Sequence, residues 1–370
     1  MADILQLFMP IIRHHLTISD LSNLARVSHE LNDLITPFLY RTVRFHSPGR
    51  IDLDDQLLLQ LDILGDPRFD KLVYTRRVVV SGWDMQVSLT QVLLTTVMLR
   101  QRLQRLRIRM GTNCTPKPFF RPPLDLHNTV RLRVIHLIQV DNILVLQSLG
   151  VALKNATQLE RLSIWADDRS ELKVSSLLER WHTPAQFRLR SLDLRGFSDI
   201  GIPAKVMWAA IPTTKLKELT LEFGPRLLVQ DSMEFWEASA QAELRPIRLR
   251  VNLGVRGIQD FISSFAGLEV FHLVPSDTLR PMEPIRILVD ALRRHHSSTL
   301  RVLGLCPFLS GPTCMLDVPV MKYLVGALPD IEELRLSQPL MIALCVGYAE
   351  IPYGFQTKSL ALDMSTGRYF

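Results

Sequence analysis

One six-residue phrase, L-x-x-L-x-L, returns along most of the chain and limits what it can fold into. It reads Leu103-Gln104-Arg105-Leu106-Arg107-Ile108, then recurs over Leu132–Leu137, Leu159–Ile164, Leu189–Leu194 and Leu216–Leu221. A weaker copy spans Ile247–Leu253. Clear copies follow at Leu268–Leu273, Leu300–Leu305 and Ile331–Leu336, with a fragment at Leu360-Ala361-Leu362. Successive copies begin roughly 29, 27, 30, 27, 31, 21, 32 and 31 residues apart, a period that belongs to stacked repeats. The last two apolar residues of each phrase stand two apart. In a strand they therefore share one face, and the residues beside them point to the other.

Helical spacing fills the intervals. Asp141 is placed to cap a helix that turns Leu146, Leu149 and Leu153 inward. Pro284 can open another that carries Ile285, Leu288, Val289 and Leu292. Met321, Leu324, Val325 and Leu328 repeat the pattern, and Pro329 stops it. One strand and one helix per repeat, joined by right-handed crossovers, make successive strands parallel neighbours. Stacking then buries a leucine ladder that no single repeat can bury alone. The expected class is α/β, a leucine-rich-repeat solenoid with parallel strands on a concave face and helices on a convex one. It should occupy residues 46–370, with clear repeats from about 100 to 362. A doubly wound sheet also alternates strand and helix, but it favours near-continuous Val/Ile runs and a Gly-rich first turn. Here polar residues interleave every phrase.

Few features suggest chemistry. The net charge of +6 is mild for nucleic-acid binding, and no aromatic residue interleaves the densest basic run, Arg100 to Arg109. Cys114, Cys306, Cys314 and Cys345 form no C-x-x-C pair, so neither a disulfide framework nor a zinc site is expected, and a reducing compartment fits. Met1 to Ile12 is apolar but starts with Asp3 in place of a basic residue. The longest other apolar stretch, Pro339 to Ala349, is too short to span a bilayer as a helix. No G-x-S-x-G, Walker loop, H-E-x-x-H or G-x-G-x-x-G occurs, and the adjacent pairs His14-His15 and His295-His296 cannot easily share a metal. The expectation is a protein that is not an enzyme, with no catalytic residue, metal or cofactor, no membrane or nucleic-acid partner, and a place in the cytoplasm, the nucleus or both.

Residues Asp3 to Val43 differ from the rest. Ile4, Leu5, Phe8 and Ile12 share a helical face, and Leu21, Leu24, Val27, Ser28 and Leu31 form a second stripe. Thr17 and Ser19 can cap its helix, Asp20 suits the helix dipole, and Pro37 should end a third helical segment. The string Asp3-Ile4-Leu5, then Leu16 to Ser28, then Leu34-Ile35-Thr36-Pro37-Phe38-Leu39-Tyr40-Arg41-Thr42-Val43 resembles the F-box of fungal F-box proteins. Met1-Ala2 stands where those proteins usually carry Leu-Pro. Arg76-Arg77-Val78-Val79-Val80 is similar to the strand that enters the family's repeat domain.

The resemblance implies a small all-α module at residues 1–45 that binds a Skp-type adaptor and, through it, a cullin. It implies a repeat domain that selects an unknown substrate protein for ubiquitination. Ile4, Leu5, Leu16, Leu21, Leu24 and Val27 match the adaptor-binding motif, although some must pack the module's own core. Two alternatives stay open: the module simply caps the repeat array, or the chain is an adaptor-independent scaffold with a degenerate F-box.

The outward strand positions are the candidates for substrate binding. They are Arg105, Arg107 and Arg109; Val134, His136 and Ile138; Arg161, Ser163 and Trp165; Ser191, Asp193 and Arg195; and Glu218, Thr220 and Glu222. Of these, Arg105, Arg107, Arg109, His136, Arg161, Trp165, Asp193, Arg195, Glu218 and Glu222 form the expected partner surface, with Trp165 between arginines as its hot spot. The later phrases are expected to expose Val270, His272, Val274, Val302, Gly304 and Cys306, making that end nearly apolar.

Overall fold

The structure is a computed structural model. It describes residues 15–46, 67–81, 102–109, 131–154, 156–167, 170–179, 181, 188–223, 229–252, 257–273, 283–305, 323–324, 326–336 and 359–362. Ile4, Leu5, His14, Val274, Met321, Val325 and all four cysteines lie outside the described residues. The chain divides into two compact units, Met1–Val140 with Leu144–Leu159 and Asp141–Ile143 with Glu160–Phe370.

The first unit begins with two short helices, α1 (Ile18–Ala25) and α2 (His29–Leu39). Thr17 caps α1 in a reciprocal box: its hydroxyl oxygen accepts from the Asp20 amide at 3.2 Å, and its own amide donates to the Asp20 carboxylate at 2.8 Å. That hydroxyl and amide hold the Asp20 carboxyl below its usual value. Ser28, expected in the apolar stripe, caps α2 by accepting from the Leu31 amide at 3.1 Å. Pro37 does not end the helix; it sits within α2, whose last turn tolerates the one lost bond. Leu21 and Ile35 are the buried centre of the pair, with Leu16, Leu24, Leu31, Leu34 and Phe38 packed around them.

Four strands follow in this unit: β1 (Thr42–His46), β2 (Arg77–Ser81), β3 (Arg105–Arg109) and β4 (Val134–Val140). They pair in sequence order, each parallel to the next. The helix α3 (Ile143–Leu153) buries Leu146, Leu149 and Leu153 as its spacing predicts. β1 was not anticipated. It pairs residue by residue with β2, so the boundary expected at 45/46 falls inside a strand.

The second unit carries β5 (Arg161–Ala166), β6 (Ser191–Phe197), β7 (Glu218–Phe223), β8 (Arg248–Val251), β9 (Val270–Leu273), β10 (Val302–Leu305), β11 (Glu333–Leu336) and β12 (Ser359–Leu362). These too are parallel and in sequence order. Between them lie α4 (Ser175–Leu178), α5 (Ala204–Ala210), α6 (Val229–Gln241), α7 (Ile258–Ser263) and α8 (Glu283–His296), each packed against the next. The class is α/β. The strand order never reverses within either unit, and strands such as β3, β5 and β7 alternate a buried residue with an exposed or half-buried one. A doubly wound sheet has a reversal and covers both faces. Neither property is found among the described residues of either unit.

A single backbone device recurs at the strand entries. The carbonyl just before one strand accepts from two successive amides of the next. Arg76 takes Gln104 and Arg105 at 2.9 and 3.0 Å, and Glu160 takes Arg190 and Ser191 at 2.8 and 3.1 Å. Lys217 takes Ile247 and Arg248, and Ile247 in turn takes Glu269 and Val270. This device corrects the reading of the weak copy. Ile247 occupies the place of Lys217, not of Leu216, so the repeat starts one residue earlier and Leu249 and Val251 stand opposite Leu219 and Leu221. Reading from Ile247 would have turned Arg250 inward, because a one-residue slip exchanges the two faces of a strand.

The helical layer of the second unit is held by a run of rings. Trp208, Phe235, Trp236, Phe261, Phe265 and His296 contact one another in that order, with centroids 5.1 to 5.5 Å apart. Buried polar groups along it are satisfied. The Trp208 indole donates to the Ser239 hydroxyl at 2.8 Å, and that hydroxyl donates to the Phe235 carbonyl at 2.7 Å. His296 Nδ1 accepts from the Leu268 amide at 3.2 Å, and Nε2 faces the Ile262 carbonyl at 3.0 Å, which assigns the neutral ring with its proton on Nε2. Burial holds His296 below its ordinary value of 6.5, and the charge of His295 acts the same way against the Ile262 bond.

Two outcomes follow. Leu249→Ala should cost about 2–5 kcal/mol in denaturant unfolding, as core truncations do, and Arg250→Ala clearly less; equal losses would contradict the register. For His296 the unfolded chain takes the proton first, so its contribution is complete above pH 6.5 and is lost as pH falls from there toward the lower folded-state value. His296→Gln should be less stable than the parent at pH 7.5 and lose less between pH 7.5 and 5.5.

Candidate functional site

The strands expose one row of side chains each, and the two units expose different chemistry. In the first, Arg105, Arg107 and Arg109 are exposed on β3 and alternate with buried Leu106 and Ile108. Their register partners on β2 are Arg77, Val79 and Ser81, and on β4 Val134, His136 and Ile138. Arg109 Nε donates to the Gln139 side chain at 2.9 Å. Gln139 has φ +59°, and near this break in the alternation Ile138 is buried instead of exposed. Arg44 of β1 is exposed as well. At the strand entries, Arg76, Arg102, Gln104 and Arg131 line a cavity of about 310 Å³.

In the second unit the outward residues neutralise one another. Asp193 on β6 is the hub. Its carboxylate accepts from Ser163 and from the Trp165 indole at 3.0 Å each, and from Arg195 through Nε at 2.7 Å and a second nitrogen at 3.3 Å. The Arg195 guanidinium lies over the Trp165 ring, 4.6 Å from its centroid, and a third nitrogen stands 3.6 Å from Glu222. Glu222 also accepts from Arg250 of β8, while Arg248 reaches Glu218 at 3.9 Å. Asp193, Arg195, Glu222 and Arg250 are each at most 28 % exposed at the side chain, so these bonds are only lightly screened by solvent. Trp165 is thus held by an anion at its indole edge and a cation over its ring face. Arg161, at the start of β5, is exposed.

The later strands differ from expectation. His272 is buried, with its ring folded over Gly304 of the neighbouring strand: a Cβ on Gly304 would stand 2.3 Å from His272 Nδ1. Glycine is required there because the imidazole already fills the space. Nor is this end nearly apolar. Arg335 grips Glu333 through two bonds of 2.7 and 3.2 Å, and this bonding, with the charges of Arg335 and His272, holds the Glu333 carboxyl below its usual value. Val274 and Cys306 lie outside the described residues. Arg248, Arg250, Glu333 and Arg335 were missed, since neither the weak copy nor the last clear one had its outward residues singled out. Arg44 and Arg77 precede the first clear phrase, and only the parallel pairing reveals that they share the face of Arg105.

The motif residues of the helical pair separate by burial. Leu21 is buried, and Leu16 and Leu24 pack half-buried against the same core. Val27, just past the end of α1, is 72 % exposed, and Ile18, at its start, is 74 % exposed. An interface on this pair therefore falls to Val27 and Ile18, while Leu21 serves the fold.

No group of His, Cys, Asp or Glu able to hold a metal occurs among the described residues, and no helix among them is long and apolar enough to cross a membrane. No protein-family model matches the chain, and no curated protein is similar to it.

The Asp193 hub sets a stability prediction. Asp193→Ala leaves the Trp165 indole and one side of Arg195 without an acceptor, and should cost about 1–3 kcal/mol in denaturant unfolding. Arg161→Ala, on the same face but exposed, should stay within about 0.5 kcal/mol of the parent.

Proposed function

We propose that this chain is the substrate-recognition subunit of a Skp-cullin-F-box ubiquitin ligase. The α1–α2 pair with its preceding residues is an F-box-like module, and the parallel strands are leucine-rich repeats that bind the substrate protein. The chain supplies no bond chemistry; transfer of ubiquitin belongs to its partners. The supporting observation is the exposure of Val27 and Ile18 on a helical pair whose motif leucines Leu16, Leu21 and Leu24 are turned into its core. The motif matches quoted from Leu16 to Val43 and the one-strand-per-repeat ladder support the same reading.

The full chain, co-expressed with a Skp-type adaptor and cullin, should co-purify with both. Ile18→Asp with Val27→Asp should lose the adaptor while keeping the parent's thermal midpoint, because neither side chain is in the core. Retention of the adaptor by this variant, or no co-purification by the parent, defeats the proposal. The second result would favour an adaptor-independent scaffold.

A further inference from the structure

The first unit carries a charge segregation that the net charge of +6 conceals. Across its strands and their lead-ins, residues 41–46, 75–81, 102–109 and 131–140, there are ten arginines and no aspartate or glutamate. Five of the ten, Arg44, Arg77, Arg105, Arg107 and Arg109, alternate outward along β1, β2 and β3, and three more, Arg76, Arg102 and Arg131, line the cavity at the strand entries. The second unit solves the same problem differently, with a carboxylate beside Arg195, Arg248, Arg250 and Arg335. A face of like charges loses stability through mutual repulsion and gains it back when an anion arrives.

We propose that this arginine face binds an acidic segment of a protein partner in extended conformation. Arg105, Arg107 and Arg109 repeat every second residue of a strand, about 6.6 Å apart, which is also the spacing of alternate side chains in an extended peptide. A segment lying along β3 can present one carboxylate to each guanidinium. Arginine suits carboxylates because its planar fork pairs both oxygens at once. Of the neutral outward positions beside the row, Val79 and Val134 are aliphatic and half-buried next to Arg107 and Arg105, while Ser81 and His136 are polar. Among the described residues no Phe, Tyr or Trp stands on this face to stack a base, so the chemistry favours a peptide over a single-stranded nucleic acid. The inference rests on the substrate-receptor reading and names the class of segment that receptor would take.

The test is fluorescence anisotropy of the full chain with a labelled oligo-glutamate peptide and, separately, labelled oligo(dT) at equal ionic strength. The parent should bind the peptide more tightly than oligo(dT), with affinity that falls as salt is raised. Arg105→Ala with Arg107→Ala and Arg109→Ala should weaken peptide binding at least about tenfold at a thermal midpoint no lower than the parent's. Arg248→Ala, on the self-neutralised face, should leave it unchanged. No peptide binding by the parent, tighter binding of oligo(dT), or equal losses in the two variants would each overturn the proposal. Co-purification with the adaptor separates the two readings. A triple variant that keeps the adaptor and loses the peptide upholds both. A parent that binds peptide but no adaptor upholds this one alone.

Discussion

The shared carbonyl that recurs at the strand entries within the units is the constraint on which the rest depends. By accepting two successive amides of the next strand, it fixes where that strand starts, to the residue. Once the start is fixed, side-chain alternation decides which face each residue takes, and the two leucine-type residues of the phrase turn inward. The bonds are local to neighbouring strands, so the same decision is made again at every step. Apolar burial supplies the driving force, but it cannot alone choose between adjacent registers wherever a phrase contains an extra apolar residue.

The repeat at β8 shows this limit. Pro246 is buried where other repeats carry a leucine, and Ile247 imitates that leucine one position late. The start of the phrase is therefore ambiguous, although Leu249 and Val251 alternating with Arg248 and Arg250 leave the faces clear, and the Ile247 carbonyl fixes the start. Asn252 continues the ladder past the end of β8. Its side-chain oxygen accepts from the Phe223 amide at 2.6 Å, and its nitrogen donates to the Phe223 carbonyl, so an amide side chain replaces a backbone pair. β1 escaped notice for the opposite reason: Thr42-Val43-Arg44 has no leucine, and its identity as a strand comes from pairing with β2.

Most strands, the inward faces of α3 and α8, and the Thr17 cap are legible in the sequence because each rests on local spacing. What is not legible depends on what lies across the gap. The helical stripe of Leu21, Leu24 and Val27 shows residues near one another, but burial of Leu21 and exposure of Val27 depend on where α2 packs. Likewise, alternation turns His272 outward, yet the absence of a side chain at Gly304 lets the imidazole fold down and become buried. Arg105, Arg107, Arg109, Asp193, Arg195, Glu218 and Glu222 were placed on the outward rows correctly. Their pairing into a network could not be read from one strand, since Asp193, Trp165 and Glu222 come from three.

That network gives the two outward surfaces different physical behaviour. Ion pairs with little solvent exposure offset much of their Coulomb gain by desolvation, so the Asp193–Arg195–Glu222–Arg250 chain contributes order more than net stability. Its arginines already have carboxylate neighbours, and a charged ligand would have to break those pairs before making its own. Such a surface selects by shape, through a fixed tryptophan ring and hydrogen bonds of set direction. An arginine row without carboxylates needs no pair broken, and its field reaches about 8–10 Å into physiological salt. It attracts before contact and discriminates less by outline. The difference is set by whether each arginine has an acid beside it, on its own strand or on the next.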